Sequence, residues 1–497
     1  MARLPSLDIR TSAGASEAEV VLVFQDAGKK AVAPKGSYEE AVSRLRRSGP
    51  FAASVRQSLF IRMGGRKPAE SVLFAGLGQA SEVTEEKFRQ AGAAVWARLN
   101  AEKCKSAFVR ADAFTKGPYF KAFAEGLLLS SYRFDKHKSQ KASADASTMP
   151  KIHFIATAGA KAKFAKELAR AYSVAEAVFI TRDWSNEPSN FGTPEYYASE
   201  AVKYARKFGL RCRILSERDA KRERMGLFLA VGQGSDREGK IVVIEHRPRG
   251  KAAKNAKTIA FVGKGITFDS GGISIKPSKG MEDMKHDMTG AATMMGAVVL
   301  ASLWNVPNRV VGILAFTENM PNGIAVQPGN VIRSRAGKTV EIINTDAEGR
   351  LILADVLDYA HTFKPDVIVN SATLTGAVGV ALGRYCCGLM GNDDALIEQL
   401  KAIGDSQAER MWQLPMYDEY FDDMKSDVAD MRNSCNNSYG GTIRGGIFLK
   451  QFIKKGFRWA HLDIASTCYD LEFLPYAPRK GASGSFVRSL ATFAAEF

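Results

Sequence analysis

Apolar and polar positions along the chain divide it into two regions in which strands and helices alternate. In the first region, short apolar runs predict buried strands at residues 20–24, 71–74 and 152–155. Apolar residues at helical spacing predict a helix over residues 85–99. The first region is therefore expected to form an α/β unit of its own.

A long run of helix-forming residues separates this unit from the rest of the chain. It covers residues 161–182, and the turn-forming sequence NEPSN follows at 186–190. We therefore predict an N-terminal α/β domain over residues 1–160, a linker helix over 161–185 and a C-terminal domain over 186–497.

The C-terminal region continues the alternation with longer elements. Its predicted strands cover residues 240–245, 258–262, 309–316 and 367–370, and its predicted helices cover residues 290–303, 351–362 and 395–403. Such alternation favours a mostly parallel sheet covered on both faces. The predicted fold class is α/β: two α/β domains joined by a long helix, the second with a mostly parallel central sheet flanked by helices. Ligands of such sheets bind where strands end and loops begin.

Composition agrees with a globular protein and leaves one alternative open. The 497 residues are 45% hydrophobic and 25% charged, which fits two domains without extensive disorder. The net charge of +16 could attract nucleic acid or an anionic membrane. The basic residues are spread along the chain and are not interleaved with aromatic ones, which favours a solvated basic surface. Nucleic-acid binding is kept as a hypothesis that is not favoured.

Cysteine usage and the absence of long apolar runs bear on the compartment. None of the six cysteines forms a CxxC pair, which favours reduced thiols in a cytoplasmic protein. The N-terminus lacks the apolar segment of a secretory signal, although its scarcity of acids leaves a weak organelle presequence open. No run approaches the roughly 18 apolar residues that span a bilayer, so no membrane partner is expected.

The first segment with unusual chemistry is GKGITFDSGGISIK at residues 263–276. It follows the predicted strand 258–262, and its four glycines let the backbone approach another group closely. Lys264 and Asp269 are expected at the mouth of a buried strand, where an unpaired charge would be costly.

Two further segments place carboxylates at the ends of elements. Asp287, in MKHDM at 284–288, precedes a predicted helix and could simply stabilise that helix through its dipole. NTDAEGRL at 344–351 follows a β-rich run, and in extended backbone Asp346 and Glu348 would leave the same face. The alternative is a capped helix start, with Glu348 in the first turn and Arg350 as its partner.

Taken together, the three segments indicate a metal site. Four carboxylates are expected to gather: Asp269, Asp287, Asp346 and Glu348. Such like charges cannot all stay ionised without strong counter-charge. Two divalent metals about 3.5–4 Å apart would supply it. Lys264 could be a neutral amine ligand or a positive partner, and Lys276 and Arg350 are cations suited to an oxyanion or an anionic helper.

The motifs at 263–276 and 344–351 resemble those of the leucyl aminopeptidase (cytosol aminopeptidase) family. The resemblance extends from about residue 186 to 497, with further matches at TLTGA (373–377), GGTI (440–443) and WAHLDIA (459–465). Residues before the long helix resemble the variable N-terminal domain of the family in layout only. The resemblance implies that residues 186–497 form a catalytic metallopeptidase domain.

The resemblance also implies a ligand set. The positions that match ligands of a tightly held metal are Lys264, Asp269, Asp287 and Glu348. Asp269 and Glu348 also contact a second, exchangeable metal, whose own ligand matches Asp346 through its side chain and backbone carbonyl. The implied cofactors are two divalent ions per subunit, Zn²⁺ or, at the exchangeable site, Mn²⁺, Mg²⁺ or Co²⁺, together with bicarbonate.

Catalytic and substrate-binding positions follow from the same matches. Lys276 and Arg350 match the two catalytic positions. The substrate-binding positions are Lys276, Met284, Asn344, Thr373, Leu374, Gly376 and Ala465. Within this set Met284, Thr373 and Ala465 line the pocket for the first residue, where Cys468 stands at a position that is methionine in some relatives. His286 is interpreted as a non-ligand because the ligand set is full, and His461 as a core histidine.

The activity implied is removal of the N-terminal residue, preferably leucine or another apolar one, from peptides. In the family, the metals bind the substrate amine and activate a water, bicarbonate at Arg350 is the general base, and Lys276 stabilises the gem-diolate. The implied assembly is a homohexamer, a dimer of trimers. The alternatives are a nucleic-acid-binding regulator on the same scaffold, a peptidase-like scaffold without catalysis, and a two-metal phosphatase.

Overall fold

The structure is a computed structural model, which describes residues 4–25, 38, 45, 49, 51–63, 69–139, 149–250, 255–435 and 437–497. Contacts within the chain divide it into two compact units. The first unit comprises Met1–Phe179 and Glu472–Arg479, and the second comprises Ile180–Leu471 and Lys480–Phe497. A short segment close to the C-terminus therefore belongs to the first unit, which the apolar pattern did not predict.

The first unit contains one six-stranded sheet. Its strands are β1 (Leu7–Arg10), β2 (Ser16–Val23), β3 (Ser58–Arg62), β4 (Ala69–Gly76), β5 (Ser106–Arg110) and β6 (Lys151–Ile155). The spatial order is β1-β6-β5-β2-β4-β3, and only the β3–β4 pair is antiparallel. Helices α1 (Glu85–Ala101) and α2 (Gly117–Ser130) lie within the described part of this unit. Their buried faces supply aromatic core residues such as Phe88, Phe120 and Phe123.

One long helix, α3 (Ala158–Asn186), leads from the first unit into the second. Its residues up to Phe179 belong to the first unit and those from Ile180 to the second. The helix is longer at both ends than the 161–182 run from which it was predicted. The domain limits at 160/161 and 185/186 stay predictions, because the helix belongs partly to each unit.

The second unit contains eleven strands among its described residues. They are β7 (Arg211–Leu215), β8 (Lys240–His246), β9 (Thr258–Asp269), β10 (Arg309–Asn319), β11 (Val331–Arg333), β12 (Thr339–Glu341), β13 (Val367–Ala372), β14 (Cys387–Gly391), β15 (Met411–Gln413), β16 (Met431–Arg432) and β17 (Arg458–Asp463). Eight of them form a sheet in the order β15-β14-β17-β13-β9-β10-β8-β7, and β11-β12-β16 form a small sheet.

Helices accompany these strands. The helices are α4 (Pro194–Phe208), α5 (Glu217–Arg222), α6 (Gly226–Gly232), α7 (Thr289–Trp304), α8 (Gly349–Ala360), α9 (Gly376–Leu382), α10 (Asp394–Ser406), α11 (Gly441–Lys450) and α12 (Val487–Glu496). A 3-10 helix over Met281–Met288 leads into α7. Helix α7 is buried along nearly all its length, as expected of a helix that covers a central sheet.

The centre of the large sheet is parallel. Strands β17, β13, β9 and β10 run parallel to their neighbours in this group, whereas β8, β7 and the β14–β17 pair are antiparallel. The central strands are buried apolar runs, because helices cover both faces of such a sheet. The predicted fold class is confirmed.

Strand β9 differs from its prediction in a way that matters for the chemistry. It continues from Thr258 to Asp269, seven residues beyond the predicted end at 262. The glycines at 263 and 265 do not end it, because β10 pairs with it in register across this stretch, Gly263 opposite Leu314 and Gly265 opposite Phe316. Lys264 therefore lies inside the strand, and Asp269 lies at its carboxyl end.

No helix in the described ranges is both long and apolar enough to cross a membrane. All six cysteines are free thiols.

Candidate active site

Lys264 points its ammonium group into a buried cluster of oxygens. Its Nζ atom lies 2.8 Å from an Asp287 oxygen, 2.9 Å from Glu348 Oε1 and 2.7 Å from the carbonyl oxygen of Thr373. The side chain reaches this position because residue 349 is glycine: a Cβ atom there would lie 2.5 Å from Cε of Lys264. The lysine thereby joins three segments of the chain at one point.

Asp269 forms the second half of the cluster together with Lys276 and Asp346. One Asp269 oxygen accepts hydrogen bonds from the Gly271 amide at 2.9 Å and from Asn319 Nδ2 at 2.8 Å. The other lies 2.8 Å from Lys276 Nζ, which is also 2.5 Å from Asp346 Oδ1. Gly271 has a positive φ of 87°, which makes the turn that returns Lys276 towards Asp269.

Asp287 lies in the 3-10 helix that precedes α7, and its side chain does not cap that helix. Instead, Asp287 Oδ1 accepts a hydrogen bond of 2.7 Å from the Thr373 hydroxyl, and Oδ2 faces Lys264. The helix-dipole interpretation therefore does not account for the position of its carboxylate.

Asp346 and Glu348 converge on the site, but not in the way predicted. The prediction of extended backbone at these positions is wrong. Asp346 lies in a turn, and Glu348, the residue before α8, has φ −81° and ψ −36°. The turn is stabilised by the Asn344 side chain, whose oxygen accepts the Asp346 amide at 2.8 Å. The alternative of a capped helix start also fails, because the Glu348 side chain makes no cap hydrogen bond and faces Lys264.

The electrostatics of the cluster show an excess of negative charge. Burial, with Asp269 nearby, raises the pKa of Glu348 to about 8, and burial raises that of Asp287 to about 6. Burial alone would lower the pKa of Lys264, but the surrounding carboxylates, Asp287 first, raise it above its ordinary value. The pKa of Lys276 is raised in the same way, because the attraction of the Asp269 carboxylate outweighs the effect of burial. The charged forms of Asp287 and Glu348 are therefore disfavoured, and additional cations would stabilise them.

The donor set fits divalent cations. Oxygens of Asp269, Asp346 and Glu348 all lie within 4.8 Å of one another. Asp287 Oδ2, Asp346 Oδ1 and Glu348 Oε1 are buried, accept no well-aligned hydrogen bond within the described part of the chain, and face lysine ammonium groups. Four carboxylates against two lysines leave two negative charges uncompensated. Carboxylate oxygens with one nitrogen suit Zn²⁺, Mn²⁺ and Mg²⁺.

Arg350 is a buried cation whose side chain, within the described residues, hydrogen-bonds a backbone carbonyl oxygen. It is 9% exposed, and its Nη1 atom donates a 2.8 Å hydrogen bond to the Asn433 carbonyl oxygen. It forms no ion pair with a carboxylate of the described ranges. Burial lowers its pKa to about 10, so an anion beside the guanidinium would be stabilising. A Cβ atom on residue 445 would lie 3.0 Å from Leu374 Cδ2 and 3.2 Å from Thr375 Cγ2, so glycine keeps the space beside the 374–375 segment open.

A cavity of about 260 Å³ opens beside the cluster. Its lining includes six of the predicted substrate-binding residues: Lys276, Met284, Thr373, Leu374, Gly376 and Ala465. Cys468 and Tyr469 complete its apolar side. Asn344, the seventh predicted residue, lies in a neighbouring groove that also contains Lys276 and Asp346. The two cavities thus meet at the Lys276–Asp346 pair.

The two histidines near the motifs lie outside the carboxylate cluster. His286 stacks on Tyr469 with ring centroids 4.7 Å apart and bonds the backbone of Ser185, and burial lowers its pKa to about 4. His461 is fully buried, and its Nδ1 atom is 2.8 Å from Asn370 Nδ2. Burial lowers the pKa of His461 to about 3, so it is a neutral core residue.

Three polar residues that position these groups were not identified from the sequence. Asn319, at the end of β10, donates to Asp269 and to the Thr345 carbonyl. Asn433 accepts the amides of residues 343 and 344 and donates to the Asn344 carbonyl. Asp463, at the end of β17, accepts amides from residues 374, 375 and 465. A strand-end rule applied to every polar residue would have found Asn319 and Asp463, whereas Asn433 has no such signal.

Two sequence models of one family match the chain. The catalytic domain of the cytosol aminopeptidase family matches residues 179–491, and the N-terminal domain of the same family matches residues 20–141. Together they span most of the chain. The second match gives the first unit a family assignment that the sequence motifs could not supply.

Curated relatives and solved structures agree with these matches. The chain is 40% identical over 460 residues to a probable cytosol aminopeptidase of Geobacter sulfurreducens, covering 91% of this chain and 90% of the relative. It is 40% identical over 472 residues to the corresponding protein of Azotobacter vinelandii, covering 94% and 93%. A solved structure of the bottromycin maturation enzyme BotP in complex with Mn is 31% identical, with a TM-score of 0.84 over 97% of this chain and 100% of that one. The chain therefore belongs to the cytosol aminopeptidase family, and it is a metal-dependent aminopeptidase.

Proposed function

We propose that the protein removes single N-terminal residues, leucine and other apolar residues preferred, from peptides by means of two divalent metal ions. The observation that carries the proposal is the buried cluster of four carboxylates and two lysines beside a cavity that has one apolar side. Bound cations would compensate the excess negative charge of the cluster, and the cavity has room for the first side chain of a peptide.

The residues proposed to hold the metals fall into two overlapping sets. One set is Lys264, Asp269, Asp287 and Glu348, and the other is Asp269, Asp346 and Glu348, whose oxygens already lie within 4.8 Å of one another. Zn²⁺ or Mn²⁺ fits these ligands, with Mg²⁺ or Co²⁺ as alternatives at the second set. When bound, the ions would polarise the scissile carbonyl and lower the pKa of the attacking water.

Lys276 is proposed to stabilise the negative charge that develops on the substrate carbonyl oxygen. It is suited to this because its ammonium group borders both cavities and stays charged, held by Asp269 and Asp346. Its carboxylate partners are the ones proposed as metal ligands. Metal binding would therefore release Lys276 from them towards the substrate.

Arg350 is proposed to hold a bicarbonate that accepts the proton of the attacking water. Support comes from its burial without an ion pair to a carboxylate of the described residues and from its pKa, which burial lowers despite the attraction of Glu348 and Asp463. A bound anion would stabilise the guanidinium charge. An activity that depends on added bicarbonate in carbonate-depleted buffer, and that Arg350→Ala removes, would support this role. Equal activity of the two proteins in both buffers would contradict it.

The preference for an apolar first residue rests on the cavity wall. Met284, Ala465, Cys468 and Tyr469 line it, and burial raises the pKa of the Cys468 thiol, so this side chain stays neutral. We extend the proposal to a cytoplasmic homohexamer, a dimer of trimers. The mass of the protein in solution tests the assembly.

Metal content measured together with hydrolysis of aminoacyl amides tests the proposal as a whole. We expect two ions per chain, faster hydrolysis of leucine amide than of aspartate amide, and no cleavage of N-acetylated leucine amide. Hydrolysis of phosphate esters in place of amides would overturn it.

A variant of the cavity wall sharpens the test of specificity. Cys468→Met enlarges a side chain at the cavity, so it should change the ratio of leucine amide to alanine amide hydrolysis. Cys104→Met enlarges another buried cysteine, in the first unit, and should leave that ratio as in the parent protein. Equal ratios in all three proteins would exclude Cys468 from the pocket.

A further inference from the structure

Asp463 places a fully buried carboxylate behind the predicted substrate-binding segment. Asp463 is the last residue of β17, and its side chain is 0% exposed. Oδ1 accepts hydrogen bonds from the amides of Leu374 at 3.1 Å, Thr375 at 3.4 Å and Ala465 at 3.3 Å. Oδ2 accepts the Thr375 hydroxyl at 2.6 Å. One side chain therefore binds both edges of the cavity wall.

The segment that Asp463 holds is connected directly to the carboxylate cluster. Thr373, one residue before the held amides, accepts Lys264 Nζ on its carbonyl oxygen at 2.7 Å and donates its hydroxyl to Asp287 at 2.7 Å. On the other side, the Thr375 hydroxyl accepts the Val378 amide and lies 3.0 Å from the Thr442 hydroxyl, which fixes the start of α9. The position of this backbone relative to the cluster thus depends on few hydrogen bonds.

Burying the charged carboxylate of Asp463 costs more free energy than a purely structural support would require. It forms no ion pair with a lysine or arginine of the described residues. A buried charge of this kind is tolerated only when it is fully hydrogen-bonded. Asp463 is also absent from the cavity lining, whereas Leu374, Thr375 and Ala465 all line it. Its influence on a substrate must therefore pass through the backbone that it holds.

We propose that Asp463 is a positioning residue, which fixes the 374–376 and 465 edges of the cavity so that their backbone groups meet the substrate. The inference rests on the proposed function, because it assumes that these edges bind the peptide. Groups that orient the residues around a site commonly account for about 10–100-fold in activity. A misplacement of about 1 Å in a binding edge has an effect of the same order.

Three variants and a control test the proposal. Asp463→Ala should lower kcat/KM for leucine amide by about 10–100-fold, mostly through KM, with the metal content unchanged. Asp463→Asn should recover most of this loss. Its amide oxygen can still accept the three N–H groups, and its NH₂ can donate to Thr375, whose hydroxyl then turns to Thr442. Thr375→Val should raise KM by a smaller factor, because the hydroxyl contacts with Asp463, Val378 and Thr442 are lost but Asp463 still holds the backbone amides of 374, 375 and 465.

The matched control is Asp355→Ala. Asp355 is equally buried and accepts the amides of Phe228 at 2.9 Å and Arg335 at 2.7 Å, which line neither cavity. Asp355→Ala should lower thermal stability and leave KM unchanged.

An unchanged KM in Asp463→Ala, or an equal rise of KM in Asp355→Ala, overturns the proposal. If Asp463→Ala does not fold, the same comparison is made between Asp463→Asn and Thr375→Val, and an unchanged KM in Thr375→Val overturns it. A parent protein that binds metal but cleaves no aminoacyl amide overturns the proposed function instead.

Discussion

Each of the two units contains a buried cluster of charged side chains, and the two clusters differ in their balance of charge. In the first unit, Arg89 is fully buried between Glu125, at 2.9 Å, and Glu86, at 2.5 Å, and Lys121 lies 3.8 Å from Glu125. The Tyr476 hydroxyl donates to Glu86 from the C-terminal segment that belongs to this unit. Among the described residues, these ion pairs join two cations and two anions, so their formal charges cancel.

In the second unit, two lysines meet four carboxylates. The consequence appears in the direction of the pKa shifts. Burial alone would lower the pKa of Arg89, but Glu125 and its neighbours raise it, so the cation is stabilised. In the second cluster the pKa values of Asp287, Asp346 and Glu348 are all raised, so the acids are destabilised in their charged form. A buried ion cluster is therefore structural when its charges cancel, and it indicates a missing ligand when they do not.

Removing one carboxylate from the unbalanced cluster should have the largest effect on activity. Asp346→Ala removes an oxygen ligand that only one of the proposed metals uses, so peptidase activity should be lost, by more than the roughly 10²–10³-fold that a single transition-state donor contributes. The same change removes a like charge, so the metal-free protein should be no less stable than the parent. Metal per chain, turnover and the melting temperature without metal are the measurements. Full metal content with unchanged activity would end the two-metal proposal.

Removing one charge from the balanced cluster should lower the stability of the protein and leave its activity unchanged. Arg89→Met removes the guanidinium group that pairs with both Glu125 and Glu86, so stability should fall by about 3–5 kcal/mol. Turnover per folded molecule and metal content should not change. Adding Glu125→Leu to this variant should recover much of the loss, because no buried charge then lacks compensation. Denaturation curves of the parent, single and double variants test this, and equal stabilities of single variant and parent would contradict it.

Lys276 distinguishes a catalytic cation from a ligand within the unbalanced cluster. Lys276→Ala should leave both metals bound and slow turnover by about 10²–10³-fold, the size expected for one lost donor to the developing oxyanion. Metal analysis and single-turnover rates measure the two effects separately. If metal is lost along with activity, Lys276 is structural and its catalytic assignment is wrong.

The sequence predicted which charged residues lie together more accurately than it predicted the local backbone geometry. The four carboxylates and two lysines meet, as the three motifs indicated, because each motif is short and its charges are costly to bury alone. The backbone at Asp346 and Glu348 was predicted wrongly, since two acids at positions i and i+2 are compatible with a strand or a turn. An Asn344 side chain that closes the turn decides between them.

Features that depend on contacts between distant segments of the chain could not be predicted from any single segment. The extension of β9 to Asp269 depends on its pairing with β10, which is about fifty residues further along the chain. Asn433 binds the 343–347 turn from about ninety residues away. The assignment of Glu472–Arg479 to the first unit likewise rests on contacts such as that between Tyr476 and Glu86. Each of these contacts joins segments that are far apart in the sequence, so neither periodicity nor a single motif predicts it.

The smallest of the expected effects is a dependence of metal affinity on pH. In the metal-free protein the pKa of Glu348 is raised to about 8 and that of Asp287 to about 6, so protons occupy positions that the metals need. The folded chain holds these protons more tightly than the unfolded chain, where a glutamate titrates near 4.3. Stability without metal should therefore decrease as the pH rises from about 4 to about 8.

Metal affinity should change in the opposite direction. It should rise with pH between about 6 and 8, by up to about tenfold per pH unit for each proton released. Calorimetry with Mn²⁺ or Zn²⁺ in buffers of different ionisation enthalpy counts those protons. Lys264, whose pKa the carboxylates raise, must also lose a proton if it becomes a ligand. Lys264→Met should therefore bind metal more weakly and release one proton fewer, and more added metal should partly restore turnover. Equal affinity and equal proton release in the two proteins would exclude Lys264 from the ligand set, leaving the carboxylates alone to hold the ions.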